Sequence, residues 1–150
     1  GKKYYWEVTI NSGTSAYIGI ADNTVPLDKA LDQSPNAYGA YMSGYYIDNS
    51  TVVIPAPQVK AAAGSTVMVA FDPAGGKLWF GVNGVWDGDP GENLNPGLSG
   101  IKMKGKLFYP VIAHKSDNTT VAFAPMDFKY APPQGFGVSQ VEDWDNDGLS

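Results

Sequence analysis

Hydrophobic and polar residues alternate over short stretches along most of the chain. Gly, Pro, Asn, Asp or Ser bound each stretch, and helical periodicity is nearly absent. This pattern predicts short β-strands joined by tight turns. We predict strands at Lys3 to Ile10, Ala16 to Ala21, Ala37 to Met42, Tyr45 to Ile47, Thr51 to Ile54, Thr66 to Asp72, Lys77 to Val82, Phe108 to His114 and Thr119 to Ala124. Val25 to Leu31 fits either one helical turn or a loop.

Two turns are specified more closely than the others. Asn83-Gly84 lies between two apolar stretches, and both residues tolerate the positive φ angles of a type I′ turn. Pro73 to Gly76 joins two further predicted strands in the same way. Together they predict an antiparallel meander, and many short strands at this spacing indicate a sandwich or barrel.

The predicted core follows from the alternation within each strand. We expect ten large side chains to supply most of the inward faces of two packed sheets: Trp6, Ile18, Ile20, Val67, Val69, Phe71, Trp79, Phe80, Val111 and Phe123. Two long connections, Asp22 to Asn36 and Asp87 to Lys106, carry little periodicity. We expect both to lie on the surface.

Composition restricts the classes of function. All ten basic residues are lysines, and the net charge of −5 argues against a nucleic-acid partner. Lys102, Lys104 and Lys106 are read as a solvated loop. The absence of cysteine excludes disulfides and thiolate sites, and no apolar run is long enough for membrane insertion. We expect the sequence, which begins at Gly1, to be a piece of a longer protein.

Five segments, taken in order, resemble the SPRY domain. They are Lys3-Tyr4-Tyr5-Trp6-Glu7-Val8, Tyr17-Ile18-Gly19-Ile20-Ala21, Val67 to Asp72, Leu78 to Trp86 and Leu107 to Ile112. The resemblance covers Gly1 to Phe136 and implies an all-β fold, a bent antiparallel β-sandwich of the concanavalin-like jelly-roll type. It also implies protein recognition through loops at one end. The family's first strands are expected upstream of Gly1.

A narrower likeness concerns the segments Trp86 to Pro90 and Tyr130 to Phe136. They are similar to SPRY copies of bacteriophage and bacterial proteins, which implies a virion or an extracellular, cell-surface location. We predict a SPRY-like domain over residues 1–137, followed by an acidic linker over residues 138–150.

Catalysis is not expected from this chain. The glutamates are Glu7, Glu92 and Glu142, and no strand presents the two carboxyl groups that glycoside hydrolysis requires. Asp87 and Asp89 flank a turn glycine. His114 is the only histidine, and the sequence has no serine in a strained turn for which it could act as a catalytic base. We therefore interpret it as a surface residue.

Binding is the better-supported class of function, because aromatic side chains outnumber what a core needs. Aromatic faces stack on sugars or fill pockets in partners. We predict that the contact groups are exposed at strand ends and loops, and that they are Tyr45, Tyr46, Trp86, Asp87, Asp89 and Asn93.

A separate acidic motif closes the sequence. Asp143, Asp145 and Asp147 alternate before Gly148, as oxygen ligands do in calcium-binding loops. The motif looks like the opening of an EF-hand-type or thrombospondin type 3 repeat, but the chain ends before a later acidic ligand. Calcium binding in the intact protein and a merely solvated tail both remain open, and no cofactor is required.

The sequence thus predicts a non-catalytic recognition or adhesion module of a phage tail or fibre, or of a bacterial surface protein. Its partner would be a protein or a cell-surface glycan. Two alternatives are kept: a structural spacer or decoration domain that packs against sister subunits of a larger assembly, and a carbohydrate-active enzyme.

Overall fold

The computed structural model of the chain describes residues 2–25, 36–48, 52–102, 107–114 and 116–137. Asp143, Asp145 and Asp147, together with Lys104 and Lys106, lie outside these residues. The segment predicted as a helical turn or a loop lies outside them except for Val25, which is in a bend.

Within the described residues, ten strands form two antiparallel sheets. In chain order they are β1 Tyr4–Ser12, β2 Tyr17–Asp22, β3 Ala37–Tyr41, β4 Tyr45–Asp48, β5 Val52–Pro55, β6 Thr66–Asp72, β7 Lys77–Val82, β8 Val85–Asp87, β9 Phe108–Ala113 and β10 Asn118–Ala122. The first sheet has the order β10-β1-β6-β7-β8, and the second has the order β5-β4-β3-β2-β9. The predicted antiparallel sandwich is confirmed.

The predicted strands are all present, and no strand end is displaced by more than two residues. The turn at Asn83-Gly84 has positive φ at both residues, 51° and 89°, as its type requires. It leads into β8, which the list of predicted strands did not include. Two short 3₁₀ helices, Pro57–Val59 and Pro125–Asp127, were also not predicted.

The main core lies between the two sheets and contains seven of the ten predicted side chains: Trp6, Ile18, Ile20, Val67, Val69, Phe71 and Phe80. Phe123 is partly buried and packs against this core. Val111 is wrongly assigned, because its neighbour Ile112 packs against the core and successive side chains of a strand point to opposite faces.

A second apolar cluster lies on the outer face of the first sheet. It consists of Tyr5, Met68, Ala70, Trp79 and Phe136, with Trp86, Phe128 and Tyr130 packed against it. Residues 123–137, which we call the C-terminal strap, cover this face. Trp79 is therefore buried as predicted but on the wrong face, since it precedes the inward-facing Phe80 on the same strand.

No helix among the residues that the structure describes is long and apolar enough to cross a membrane.

Candidate functional site

Glu7 fastens the C-terminal strap to the first sheet. Its side chain is 1% exposed and projects from the outer face of β1, between the inward-facing Trp6 and Val8. One carboxylate oxygen accepts a hydrogen bond from the Lys129 N–H at 2.8 Å. The other accepts from the Tyr130 N–H at 2.9 Å and from the Tyr5 hydroxyl at 2.6 Å. All three donors are neutral. The Glu7 carboxylate thus accepts hydrogen bonds from both the C-terminal strap and the first sheet.

Burial and the Glu7 carboxylate act together on Tyr5. Loss of water around the phenol, and then the hydrogen bond to Glu7, raise the pKa of Tyr5 far above its ordinary value. The phenol therefore stays protonated and keeps donating to Glu7 at alkaline pH, where an exposed tyrosine ionises.

Beside this attachment the outer face of the first sheet remains open as a groove of about 450 Å³. Strands β1 and β10 form its floor, and the strap forms one side. The lining residues are Glu7, Thr9, Asn11, Thr120, Val121, Ala122, Asp127 and Lys129. We refer to this feature as the β1–β10 groove.

Uncharged polar groups dominate the floor of the β1–β10 groove. The Asn11 amide donates to the Asn118 side-chain oxygen and to the Thr120 hydroxyl, both at 2.8 Å. The hydroxyls of Thr9 and Thr66 are 3.0 Å apart and share a hydrogen bond. Such groups can exchange hydrogen bonds with the main chain or polar side chains of a partner.

The β1–β10 groove was not predicted from the sequence. Thr9 and Asn11 alternate with the buried Val8 and Ile10, which marks them as outward-facing. That signal was present in the sequence. The pairing of Thr9 with Thr120 could not be predicted, because the two residues are far apart in the chain and meet only through the β1–β10 ladder.

The predicted contact residues do not form one surface. Tyr46 is 4% exposed and belongs to the main core, so the prediction that it is exposed is wrong. Its hydroxyl donates to the Asp87 carboxylate at 2.6 Å. Burial, and then this hydrogen bond, raise the pKa of Tyr46 far above its ordinary value. Gly97 lies against the Tyr46 ring, where a Cβ atom would collide with it.

The two remaining aromatic candidates lie on opposite faces of the sandwich. Trp86 is partly buried on the outer face of the first sheet and meets Tyr5 edge to face, with ring centroids 6.1 Å apart. Tyr45 is 44% exposed, as predicted, and belongs to the second sheet. It faces outward there, because Tyr46 faces the core.

Asp89 and Asn93 are exposed as predicted, in a short loop after β8. The Asp89 carboxylate accepts from the Glu92 N–H at 3.2 Å, and Asp89 and Leu94 form an antiparallel bridge. Asn93 has a positive φ of 60° and accepts from the Lys77 ammonium at 3.2 Å. These contacts shape the loop, and the predicted binding role of both residues stays a prediction.

The other candidates for chemistry are dispersed. Glu92, Lys102 and His114 are exposed, and Glu7 is committed to the strap. Across the described part of the chain, no group of three or more His, Cys, Asp or Glu residues is arranged to hold a metal ion.

Comparison with known proteins gives a family. The profile of the SPRY domain family matches residues 3–126. Comparison with curated protein sequences finds no significant match. Among solved structures, the chain is similar to the crystal structure of the SPRY domain of human HERC1, with a TM-score of 0.60 and 16% sequence identity. That alignment covers 86% of this chain and 78% of the other, and it shows a shared fold.

SPRY domains are interaction modules that bind proteins and are generally non-catalytic. The two five-stranded antiparallel sheets agree with the sandwich that the sequence resemblance implied. With the profile matching from Lys3, just before β1, to Met126 in the strap, the chain belongs to the SPRY domain family.

Proposed function

We propose that this SPRY domain is a non-catalytic recognition module that binds a partner protein in the β1–β10 groove. One observation carries the proposal. The aromatic half of the outer face of the first sheet is covered by the C-terminal strap, whereas the polar half beside it is left open.

The lining of the groove suits a protein ligand. Thr9, Asn11 and Thr120 offer hydroxyl and amide groups, and Asp127 and Lys129 add one charge of each sign. Interfaces of transient complexes combine neutral hydrogen-bonding groups with a few charges in this way. The rigid strands below hold these side chains in place before binding, which lowers the entropic cost of association.

Selection of peptides from a random display library on the immobilised domain tests the proposal. Selected peptides should shift the NMR signals of Thr9, Asn11 and Thr120, and Asn11→Ala should weaken their binding about tenfold or more. Glu92→Ala, at an exposed position in the loop after β8, is the control and should leave affinity unchanged. If the selected peptides shift the loop signals and not the groove signals, the groove is not the binding site.

The finer context follows from the resemblance to phage and bacterial copies. We propose a virion or bacterial surface protein as the parent, with a host-surface protein as the partner. The full parent sequence tests this: fibre repeats or a secretion signal would support it, and a cytosolic enzyme fused to this domain would contradict it.

A glycan ligand is the second candidate, and exposed Tyr45 favours it. Its ring is available for stacking on a sugar, on the face of the second sheet opposite the groove. A glycan array distinguishes the two ligands: binding that Tyr45→Ala abolished and Asn11→Ala left unaffected would favour the sugar.

A carbohydrate-active enzyme is the other alternative. Release of oligosaccharide by the protein, abolished in an Asp87→Asn or Glu92→Gln variant, would indicate such an enzyme.

Calcium binding by Asp143, Asp145 and Asp147 is proposed only for the longer parent protein. The test is calorimetric titration with calcium of a chain extended beyond Ser150 and of the same chain with the three aspartates changed to asparagine. Equal heats from both chains would reject calcium and leave a solvated tail.

A further inference from the structure

Strand β10 is an edge of the first sheet. It pairs with β1 from Glu7–Ala122 to Ser12–Asn118, and no other described strand pairs with it. An edge strand presents main-chain N–H and C=O groups that can pair with a further strand. We propose that an extended segment of the partner protein adds to β10 as a new strand of the first sheet. This inference rests on the proposed function and assigns the main-chain part of that interface.

Two hydrogen bonds fix which groups of β10 point outward. The Ile10 N–H donates to the Ser65 carbonyl at 2.9 Å, so Ile10 directs its main-chain groups toward the β6 side. The Lys3 carbonyl accepts from the Gly137 N–H at 2.9 Å, on the opposite side of β1. Successive residues of a strand direct these groups to alternate sides, so Glu7 and Thr9, like Lys3, face β10.

The same alternation applies to β10. Thr120 is paired with Thr9 and Ala122 with Glu7, so these two residues direct their main-chain groups toward β1. Thr119 and Val121 therefore direct an N–H and a C=O each away from the sheet. Among the described residues, neither has a main-chain partner on that side.

The other three sheet edges carry features that oppose strand addition. Strand β9 contains Pro110, which lacks a donor, and β5 ends at Pro55. Strand β8 is only three residues long. Strand β10 has five residues and contains neither proline nor a charged side chain, the usual protections of an exposed edge.

Side chains around the edge specify the occupant. Val121 pairs with the inward-facing Val8 yet is 36% exposed. On the opposite face Thr120 borders the polar β1–β10 groove. An added strand would therefore alternate apolar residues on the Val121 side with small polar residues on the Thr120 side.

A second copy of this chain is a poorer occupant than a partner segment. Self-pairing of two five-residue edges would involve only about 17 Å of strand. Stable interfaces bury roughly 1,000 Å² or more, so they need contacts besides one short main-chain ladder. A partner segment, in contrast, also places its polar side chains in the groove, which extends the contact beyond the main-chain ladder.

Amide hydrogen exchange by NMR on the whole chain tests the proposal. The probe is a short synthetic peptide of alternating threonine and valine with a lysine at each end for solubility. In the free domain, the Thr119 and Val121 amides should exchange quickly while those of Thr120 and Ala122 are protected. Saturating peptide should slow Thr119 and Val121 exchange about tenfold or more and leave Thr120 unchanged.

The matched control is the same peptide with alternate main-chain nitrogens methylated, which keeps its side chains and removes its donors. It should give no protection. On the protein, Val121→Pro should abolish binding with little loss of stability, because the N–H it removes does not bond to β1. Val121→Ala, which keeps the main-chain groups, should bind with at most a few-fold loss.

Three outcomes would overturn strand addition. They are equal binding of the methylated peptide, unchanged exchange at Thr119 and Val121 with bound peptide, and absence of peptide binding at millimolar concentration. If library-selected peptides still shift the groove signals in any of these cases, the groove remains the partner site and only the main-chain mode is wrong. If Val121→Pro fails to fold, the comparison with the methylated peptide still tests strand addition.

Discussion

The Tyr46 hydroxyl on β4 donates a 2.6 Å hydrogen bond to the Asp87 carboxylate on β8 and so connects the two sheets of the sandwich. Because Tyr46 is buried in the core, this pair is part of the structure and not a free contact surface. The Tyr46 ring also leaves no space for a Cβ atom at Gly97, in the loop after β8, so a glycine is required there.

Tyr46→Phe is expected to destabilise the domain by about 2 kcal/mol, since it leaves the partly buried Asp87 carboxylate without its donor. Tyr46→Ala should cost about 3–5 kcal/mol through the cavity it creates. Urea unfolding measures both, and a cycle with Asp87→Asn should show coupling of about 1–3 kcal/mol. Tyr45→Phe, at the exposed neighbour, is the control and should change stability little.

Alkaline pH should destabilise the domain. The pKa values of Tyr5 and Tyr46 are raised by burial and by their carboxylate partners, whereas the unfolded phenols ionise near pH 10. Their contribution is therefore full below about pH 10 and is lost above it, at about 1.4 kcal/mol per pH unit for each phenol. Urea unfolding between pH 8 and 11 measures the slope, and a Tyr5→Phe, Tyr46→Phe double variant should flatten it.

Glu7→Gln is expected to loosen the C-terminal strap. A glutamine can keep its oxygen toward the Tyr130 N–H and the Tyr5 hydroxyl, but its NH₂ group would then face the Lys129 N–H, which is also a donor. We expect a loss of about 1–3 kcal/mol and faster exchange of the Lys129 and Tyr130 amides. Glu92→Gln, at an exposed loop position, should change neither quantity. Unchanged exchange in Glu7→Gln would show that apolar packing alone holds the strap.

Trp79→Ala should lower the free energy of unfolding by about 3–5 kcal/mol, and it should loosen the C-terminal strap. Trp79 packs edge to face on Phe136 at 5.8 Å between ring centroids, and its indole N–H donates to the Leu94 carbonyl at 2.8 Å. The Phe136 and Gly137 amides should exchange faster in this variant. Trp86→Ala, at the partly buried edge of the same cluster, should cost about 1–2 kcal/mol. Equal costs would contradict the burial assigned to the two rings.

Asp117 is expected to stabilise the β1–β2 connection in a pH-dependent way. It accepts from the Ser15 hydroxyl at 2.6 Å and the Ser15 N–H at 2.9 Å, and the hydroxyl hydrogen bond is the main cause of its lowered pKa. This contribution is present above the ordinary carboxyl pKa of about 3.9 and is lost as pH falls below it. The stability difference between the parent and Ser15→Ala should therefore be largest near pH 7 and shrink toward pH 2. A difference independent of pH would contradict this role.

Local patterns along the chain were enough to predict most strands and turns. Alternation and short apolar runs located nine strands, although β2 and β6 are buried on both faces. Asn83-Gly84 located the hairpin because both residues accept positive φ. The same local rules gave the buried positions of Trp6, Ile18 and Phe71, which the structure confirms.

What covers each face of the sheets could not be predicted from local patterns. Trp79 and Phe80 are both buried on one strand, and alternation shows that they point apart but not that a C-terminal segment covers Trp79. The Glu7 carboxylate accepts two of its hydrogen bonds from the strap, and the Tyr46 hydroxyl donates to Asp87 on the opposite sheet. The β1–β10 groove likewise exists because the first strand and the last are neighbours. Local periodicity records which side a residue faces, whereas the identity of its neighbour depends on how distant strands pair and pack.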